Sequence, residues 1–342
     1  MSELMETLGE LGRAHMEEIL GMIDEVARAS TPEGSSLVGM NAYHMTTGGK
    51  RLRALLPLAT AQCFGEEPGA MIPFGAACEM LHNATLVHDD LQDGDTVRRD
   101  QPTVWVKYGE ARAINLGDAM LYFTLMLIDR LDVPASKRHA TSLRLVRETL
   151  RVIDGQEREF LLKDFGDEVS PGVDAYFRMV EGKTSGLFAL PVVGAAELCG
   201  AQADVLGRLQ EATRHLGVIF QIQDDILDLF GDKGRGARGS DIGEGKISML
   251  VVHALEHAVG VDAAWLKGLL RRAREDVRPE DITRAIALVE TSGALAASLA
   301  ELDRRAQIVR EASFAEHPAL EGLLQGMIDV FCAPIDSLRD KR

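Results

Sequence analysis

Two stretches decide the reading of this chain: Leu81–Asp93, LHNATLVHDDLQD, and its echo Gln221–Asp228, QIQDDILD. Each is an apolar run that ends in Asp-Asp-x-x-Asp. On a helix, positions i and i+4 share a face, so Asp89 and Asp93 stack one turn apart with Asp90 beside them. Asp224, Asp225 and Asp228 repeat the arrangement. Three carboxylates this close repel one another and are tolerable only if a cation joins them or water reaches all three. Oxygen-only donors at that density suit a hard divalent ion, Mg²⁺ where phosphates complete its shell. In a chain with 53 acidic residues, one such triplet can arise as an ordinary solvated helix end. Two copies, both closing apolar helical runs and far apart in sequence, predict a two-cluster metal site.

Around these stretches the composition sets the class. At 342 residues the chain exceeds the usual single-domain size. Yet no Pro/Gly/Ser-rich linker interrupts it, helical periodicity recurs from end to end, and strand-like alternation is absent. The expectation is one all-α domain over residues 1–342, a single large helical bundle. The net charge of −16 argues against a nucleic-acid partner, since phosphate backbones are bound by basic surfaces. It leaves phosphate ligands open, provided metals invert the local charge. Cys63, Cys78, Cys199 and Cys332 lack CxxC spacing and read as reduced core residues of a cytoplasmic protein. The opening MSELMETLGELGRAHMEEIL is acidic and amphipathic, unlike a signal peptide. The longest uncharged runs, near Ala119–Ile128 and Gly186–Ala196, are too short to span a bilayer. A soluble protein with no membrane span is expected.

Along the chain, an amphipathic helix over 3–29 ends at Thr31-Pro32-Glu33-Gly34. A second starts near Gly48-Gly49-Lys50-Arg51-Leu52-Arg53 and runs to Gly65. Glycines and three cations at a helix start make either an anion site or a flexible turn before a solvated basic end. After the first triplet, Gly94 breaks the helix and the loop Asp95–Pro102 carries Arg98 and Arg99. These arginines are fork-shaped phosphate donors or structural partners of the same aspartates. Helices follow over 106–131 and 136–164. Within 173–200, Gly182-Lys183-Thr184-Ser185-Gly186 and Pro191 predict a break beside Lys183. The second triplet lies on a helix over 202–231, ending in the glycine-rich loop Gly231–Asp241. That loop holds a formal GxGxxG (Gly234, Gly236, Gly239), but it follows a helix and no βαβ unit surrounds it, which excludes a dinucleotide site. A basic lid over the metal site fits better. Shorter helices are expected near 247–259, 263–276, 280–291, 294–312 and 317–338.

With these residues in place, the chain resembles the trans-isoprenyl diphosphate synthases of the polyprenyl synthetase family. The matching motifs span roughly residues 45–250. They fall on Gly48-Gly49-Lys50-Arg51, His82 with Asp89, Asp90 and Asp93, Arg98-Arg99, and Gly155-Gln156. They continue on Lys183-Thr184, Phe220-Gln221, Asp224, Asp225 and Asp228, and Asp241 with Gly245-Lys246. The resemblance implies an isoprenoid-synthase bundle with a central cavity, in which both triplets hold Mg²⁺ on an allylic diphosphate and promote its ionisation. It implies that Arg98, Lys183 and Lys246 contact that diphosphate with Thr184 and Gln221 near it. Lys50, Arg51, His82 and Arg99 would hold isopentenyl diphosphate. The second substrate's double bond then attacks the allylic cation and a proton leaves to the departing diphosphate, so catalysis rests on positioning and electrostatics. A homodimer is implied as well. Three positions depart from the family pattern: Gly236 where a basic residue is usual (with Arg235 and Arg238 nearby), Leu250 where proline is usual, and Asp100 where a small residue is usual.

The residues one and two turns before Asp89 are Thr85 and Leu81, with Ala84 alongside. Small Thr85 and Ala84 leave the tail path open, as in family members making C20 or longer chains, so geranylgeranyl diphosphate is the expected product. Met120, Tyr122 and Phe123 on the neighbouring helix either plug that path deeper down or are ordinary core packing. A terpene cyclase of the same fold would not need the second diphosphate site. A non-catalytic partner subunit would be marked by lost aspartates, and both triplets are complete.

Overall fold

The opening segment folds as expected into α1 (Glu3–Ala29), burying Leu4, Leu8, Leu11, Ile19, Ile23 and Val26 along one stripe. The computed structural model describes residues 3–166, 171–231 and 238–341. Helices α2 (Ser36–Thr46), α3 (Leu52–Cys63), α4 (Ile72–Gln92), α5 (Val104–Tyr108), α6 (Glu110–Asp129) and α7 (Ala135–Lys163) follow. Next come α8 (Val173–Val180), α9 (Gly186–Leu198), α10 (Ala203–Phe230), α11 (Ser240–Gly243) and α12 (Met249–His257). The chain ends in α13 (Gly260–Leu270), α14 (Pro279–Thr291), α15 (Ala294–Glu311) and α16 (Pro318–Cys332), then a 3₁₀ segment over Ala333–Lys341. The fold is all-α. The one sheet among the described residues is the two-residue antiparallel pair β1 (Val97–Arg98) and β2 (Gln101–Pro102).

The chain packs as two units. The first comprises Met1–Thr149, Leu187–Gln210 and Ser313–Leu323; the second comprises Leu150–Gly186, Glu211–Ala312 and Leu324–Arg342. In the first unit α4 is the central element, packed on α6, α3 and α1. It buries Phe74, Met80, Leu81, Ala84 and Val87, which leaves its last turn to carry the aspartates. In the second unit α12 packs on α15, α14 and α8 and buries Leu250, Val251, Val252 and Leu255.

The helix expected over 263–276 runs instead over Gly260–Leu270, with a 3₁₀ turn at Arg274–Asp276, and three further differences have a local cause. Helix α2 lies where no helix was predicted, because its buried face mixes Met40 and Met45 with Asn41 and His44 and so hides the apolar period. Its start is nonetheless capped, with the Ser35 hydroxyl accepting from the Leu37 N–H at 3.3 Å. The helix expected over 106–131 is split by Gly109, whose φ of 94° only glycine adopts readily. The helix expected over 317–338 ends at Cys332, and Pro334 follows in the 3₁₀ segment. Among single helices of the described residues, α6 is the one long and apolar enough to cross a membrane by composition. Its face of Ala113, Leu116, Met120, Phe123 and Leu127 is buried.

Candidate active site

In the first unit α4 carries His82 and the first triplet on its last three turns. The triplet is divided. Asp90 is buried and accepts both Nε bonds of Arg98, at 2.8 and 2.9 Å, while Asp89 and Asp93 are half-buried. Arg98 therefore sits in the ion pair that the sequence left open as one of its two roles. Arg98 and its neighbour are aimed by the hairpin. Arg99 (φ 52°) and Asp100 (φ 62°) form the two-residue turn between β1 and β2, and positive φ at both positions is the type I′ geometry that favours Asn and Gly. Bonds outside the turn hold it in place. Thr103 Oγ1 and Trp105 Nε1 each donate to the Asp95 carbonyl at 2.8 Å, and Tyr43 Oη donates to the Pro102 carbonyl at 2.7 Å. The Arg99 guanidinium lies on the Gly48 carbonyl, and a Cβ at Gly49 would meet its Nη1 at 2.5 Å. Gly49 thus allows the close approach, and Gly48 and Gly49 both hold positive φ, at 88° and 125°.

The cations near His82 are not quite those expected. Arg51 starts α3 in the left-handed region (φ 49°) and is turned away: its Nη1 donates to Glu79 at 2.8 Å and its Nη2 to the Met45 carbonyl. Arg53, two residues on and therefore on another face, takes its place. Its guanidinium lies 4.6 Å from the Phe188 ring centre, and burial lowers its pKa to about 10. Burial, followed by the charges of Arg53, Arg98 and Arg99, holds the His82 imidazole neutral, with its pKa well below the usual range. His82 Nδ1 has no hydrogen-bond partner. Three guanidiniums around an under-satisfied neutral imidazole are a site for an anion. Lys50 is exposed at its edge. Sequence reasoning chose Lys50 and Arg51 within the basic run and passed over Arg53, because the choice depends on where α3 starts.

In the second unit, Lys183, Gln221, Asp224, Asp225, Asp241 and Lys246 line one pocket together with Glu159 and Tyr176. Lys183 lines it from a π-turn, Glu181–Ser185, inserted between α8 and α9, and Thr184 on the same turn touches its lining residue Gln221. This is the expected break, and such turns recur at functional sites. Two close approaches hold the turn: a Cβ at Gly155 would meet the Lys183 nitrogen at 2.0 Å, and one at Gly217 the Ser185 Cα at 2.4 Å. Lys183 pairs with Glu159, and Thr184 Oγ1 donates to Gln221 Oε1 at 2.9 Å. Lys246 pairs with Glu244 at 2.8 Å.

The second triplet is divided too, with Asp225 and Asp228 buried and Asp224 half-buried. Asp225 is buried and receives three donors: Tyr176 Oη at 2.7 Å, the Met249 N–H at 2.9 Å and Gln221 Nε2 at 3.0 Å. Burial nevertheless pushes its pKa up to about 7, and the three bonds oppose that rise. Asp228 accepts from Ser240 Oγ at 2.8 Å and the Asp241 N–H at 3.3 Å, while Asp224 is half-buried at the pocket. Tyr176 and Glu159 carried no motif in the sequence, and only the fold brings them here. Leu250 is buried near the start of α12, behind Ser248, whose hydroxyl caps that helix by accepting from the Val251 N–H at 3.2 Å. Arg238 is tied to Glu290 at 2.6 Å, and Arg235 and Gly236 lie outside the described residues. Among the described residues no three His, Cys, Asp or Glu side chains converge as a ready-made metal cage.

Known proteins resemble the chain over most of its length. The polyprenyl synthetase family model matches residues 35–289. A short chain isoprenyl diphosphate synthase of Methanocaldococcus jannaschii is 32% identical over 81% of this chain and 83% of its own. A geranylgeranyl diphosphate synthase of Mycobacterium tuberculosis is 33% identical over 85% of this chain and 84% of its own. The crystal structure of a polyprenyl synthetase from Streptomyces coelicolor superposes with a TM-score of 0.82 at 26% identity, covering 96% of this chain and 99% of that one. With the family model covering well over half its length, the chain belongs to the polyprenyl synthetase family and is a prenyltransferase of the isoprenyl diphosphate synthase type.

Proposed function

We propose that this enzyme condenses isopentenyl diphosphate with an allylic diphosphate in a Mg²⁺-dependent reaction and that its product is geranylgeranyl diphosphate. The observation that carries the reading is the division of labour in each triplet. Asp90 in one triplet, and Asp225 and Asp228 in the other, are buried on protein donors, whereas Asp89, Asp93 and Asp224 are only half-buried. That donor set fits Mg²⁺, which keeps its own waters and binds through one or two carboxylates plus substrate phosphates rather than in an all-protein cage. Asp89, Asp93 and Asp224 would hold the ions, with Asp90, Asp225 and Asp228 completing the clusters. When bound, the ions neutralise the leaving diphosphate. Lys183, Thr184, Gln221 and Lys246 orient the allylic diphosphate, Lys183 being paired with Glu159 and Lys246 with Glu244. Arg98 fixes Asp90.

The isopentenyl diphosphate would be held by Lys50, Arg53, His82 and Arg99. Arg51 acts one step back, through Glu79. The second reading, a cyclase, gains nothing from this anion cluster. For the tail, Leu81 and Ala84 are buried beside half-buried Thr85, and Met120 and Phe123 are buried on α6. Tyr122 is 71% exposed and cannot be the floor. Small Thr85 and Ala84 beside the first triplet support a C20 product, with Met120 and Phe123 as its floor. Residues 1–342 would serve as one catalytic domain. A homodimer is supported by exposed Tyr122 and Met126 on α6 and by Leu143, Val146, Leu150 and Ile153 at helical spacing on α7. A cytoplasmic location is consistent with the chemistry of both substrates.

The test is incubation with Mg²⁺, isopentenyl diphosphate and, separately, dimethylallyl, geranyl and farnesyl diphosphate, with products sized by mass spectrometry. A C20 diphosphate is expected. A hydrocarbon formed without isopentenyl diphosphate would make the protein a cyclase, and no product would make it a partner subunit. Asp89→Ala and Asp224→Ala should each remove most turnover with helical circular dichroism unchanged.

A further inference from the structure

We propose that Arg305, on α15 and outside the pocket, is a positioning residue for prenyl transfer: acting through Glu181, it holds the π-turn so that Lys183 and Thr184 stay aimed at the pocket. The inference rests on the reading of those two residues given above. Arg305 is 5% exposed, and a guanidinium is buried that deeply only when its donors are matched. Its Nε donates to Glu301 at 2.7 Å, its Nη1 to His215 Nδ1 at 3.3 Å, and its plane lies 4.1 Å from the Phe177 ring centre. Its remaining partner is Glu181 Oε1, at 3.6 Å, the first residue of the π-turn.

A π-turn is a costly local geometry and persists where surrounding contacts over-determine it. Here they act from both sides. Glu181 is held by Arg305 and by Arg214 Nη1 at 3.3 Å, and Ser185, the last residue of the turn, donates through Oγ to the Arg214 carbonyl at 3.0 Å. The turn is thus fastened at its two ends from behind, while Lys183 and Thr184 in its middle meet Glu159 and Gln221 at the pocket. Arg305 also lies under Phe177, next to Tyr176, whose hydroxyl donates to Asp225. One buried cation therefore braces the turn and the helix that leads into it. An ion pair serving only to attach α15 would have its partners anywhere on the neighbouring helices. This one ends on the segment that carries the pocket's lysine.

The test compares wild type with Glu181→Gln and Arg305→Met in the full-length protein. Glu181 is only partly buried, so Glu181→Gln separates the clamp from folding. Loss of a charged hydrogen-bonded anchor predicts about a tenfold rise in KM for farnesyl diphosphate. KM for isopentenyl diphosphate should stay unchanged. Hydrogen exchange should speed up at the amides of residues 182–185 and not along α12. The double variant should be no worse than Glu181→Gln alone, since Arg305 acts through Glu181. Wild-type KM for farnesyl diphosphate together with unchanged exchange in Glu181→Gln would overturn the clamp, as would an equal rise in both KM values. Lys183→Ala run in parallel distinguishes the two failures. If it too leaves KM for farnesyl diphosphate unchanged, the reading of the pocket is wrong; if it raises KM while Glu181→Gln does not, only the clamp is wrong.

Discussion

Adding one methyl group at Gly155 tests whether the π-turn's position limits turnover. The Cβ of Gly155→Ala would lie 2.0 Å from the Lys183 nitrogen, 2.6 Å from the Gly182 carbonyl carbon and 2.7 Å from the Lys183 Cα. All three are backbone atoms, so no side chain can swing aside. Restoring a contact of 3.4 Å from 2.0 Å requires the turn and α7 to separate by about 1.4 Å. Overpacking of this kind costs about 1–3 kcal/mol. Alanine inside a helix recovers about 1 kcal/mol relative to glycine, so the net loss of stability is roughly 0–2 kcal/mol. Turnover responds differently, because a misplacement of about 1 Å in a positioning group costs roughly 10²-fold. The expected signature is a drop of about 10²-fold in kcat/KM for farnesyl diphosphate with a modest shift in the urea midpoint. A folded Gly155→Ala enzyme with kcat/KM within threefold of wild type would refute the claim that this contact sets the position of Lys183.

Two further predictions concern the first unit. Burial first, then Arg98, Arg51 and Arg99, lowers the His44 pKa from 6.5 to about 3. The unfolded chain therefore binds a proton that the folded one refuses, so this stability is complete above pH about 6.5 and falls by about 1.4 kcal/mol per unit as pH drops toward 3. Between pH 7.5 and 5.0 wild type should lose about 2 kcal/mol more than His44→Gln in urea titrations, and equal losses would sink the assignment. Asp100 is exposed and holds φ 62° in a type I′ turn. Asp100→Gly should raise stability by about 0.5–1 kcal/mol with kcat unchanged, and a lowered melting midpoint would show that Asp100 makes a compensating contact.

Much of the site was legible because helical period and charge chemistry both act over three or four residues. The apolar runs before Asp89 and Asp224 predicted buried helices, and α4 and α10 are there. Glycine, hydroxyls and lysine within 182–186 predicted a break, and the π-turn is there. What the spacing could not express is direction. Arg51 and Arg53 are equivalent in a string of letters, yet the left-handed backbone at Arg51 starts α3 one residue later and sends the two guanidiniums to different partners. The triplets show the same limit. Asp-Asp-x-x-Asp places three carboxylates on one end of a helix, but it does not say that the middle one faces inward. Arg98 is eight residues from Asp90, whereas Tyr176 is 49 residues from Asp225, and neither partnership follows from local spacing. The long-range partners of a charged site are chosen by packing, and an inward carboxylate must find donors or lose its charge. A repeated acidic motif therefore supplies two kinds of residue at once. The inward carboxylates, matched by buried donors, anchor the helix end that carries the half-buried ones.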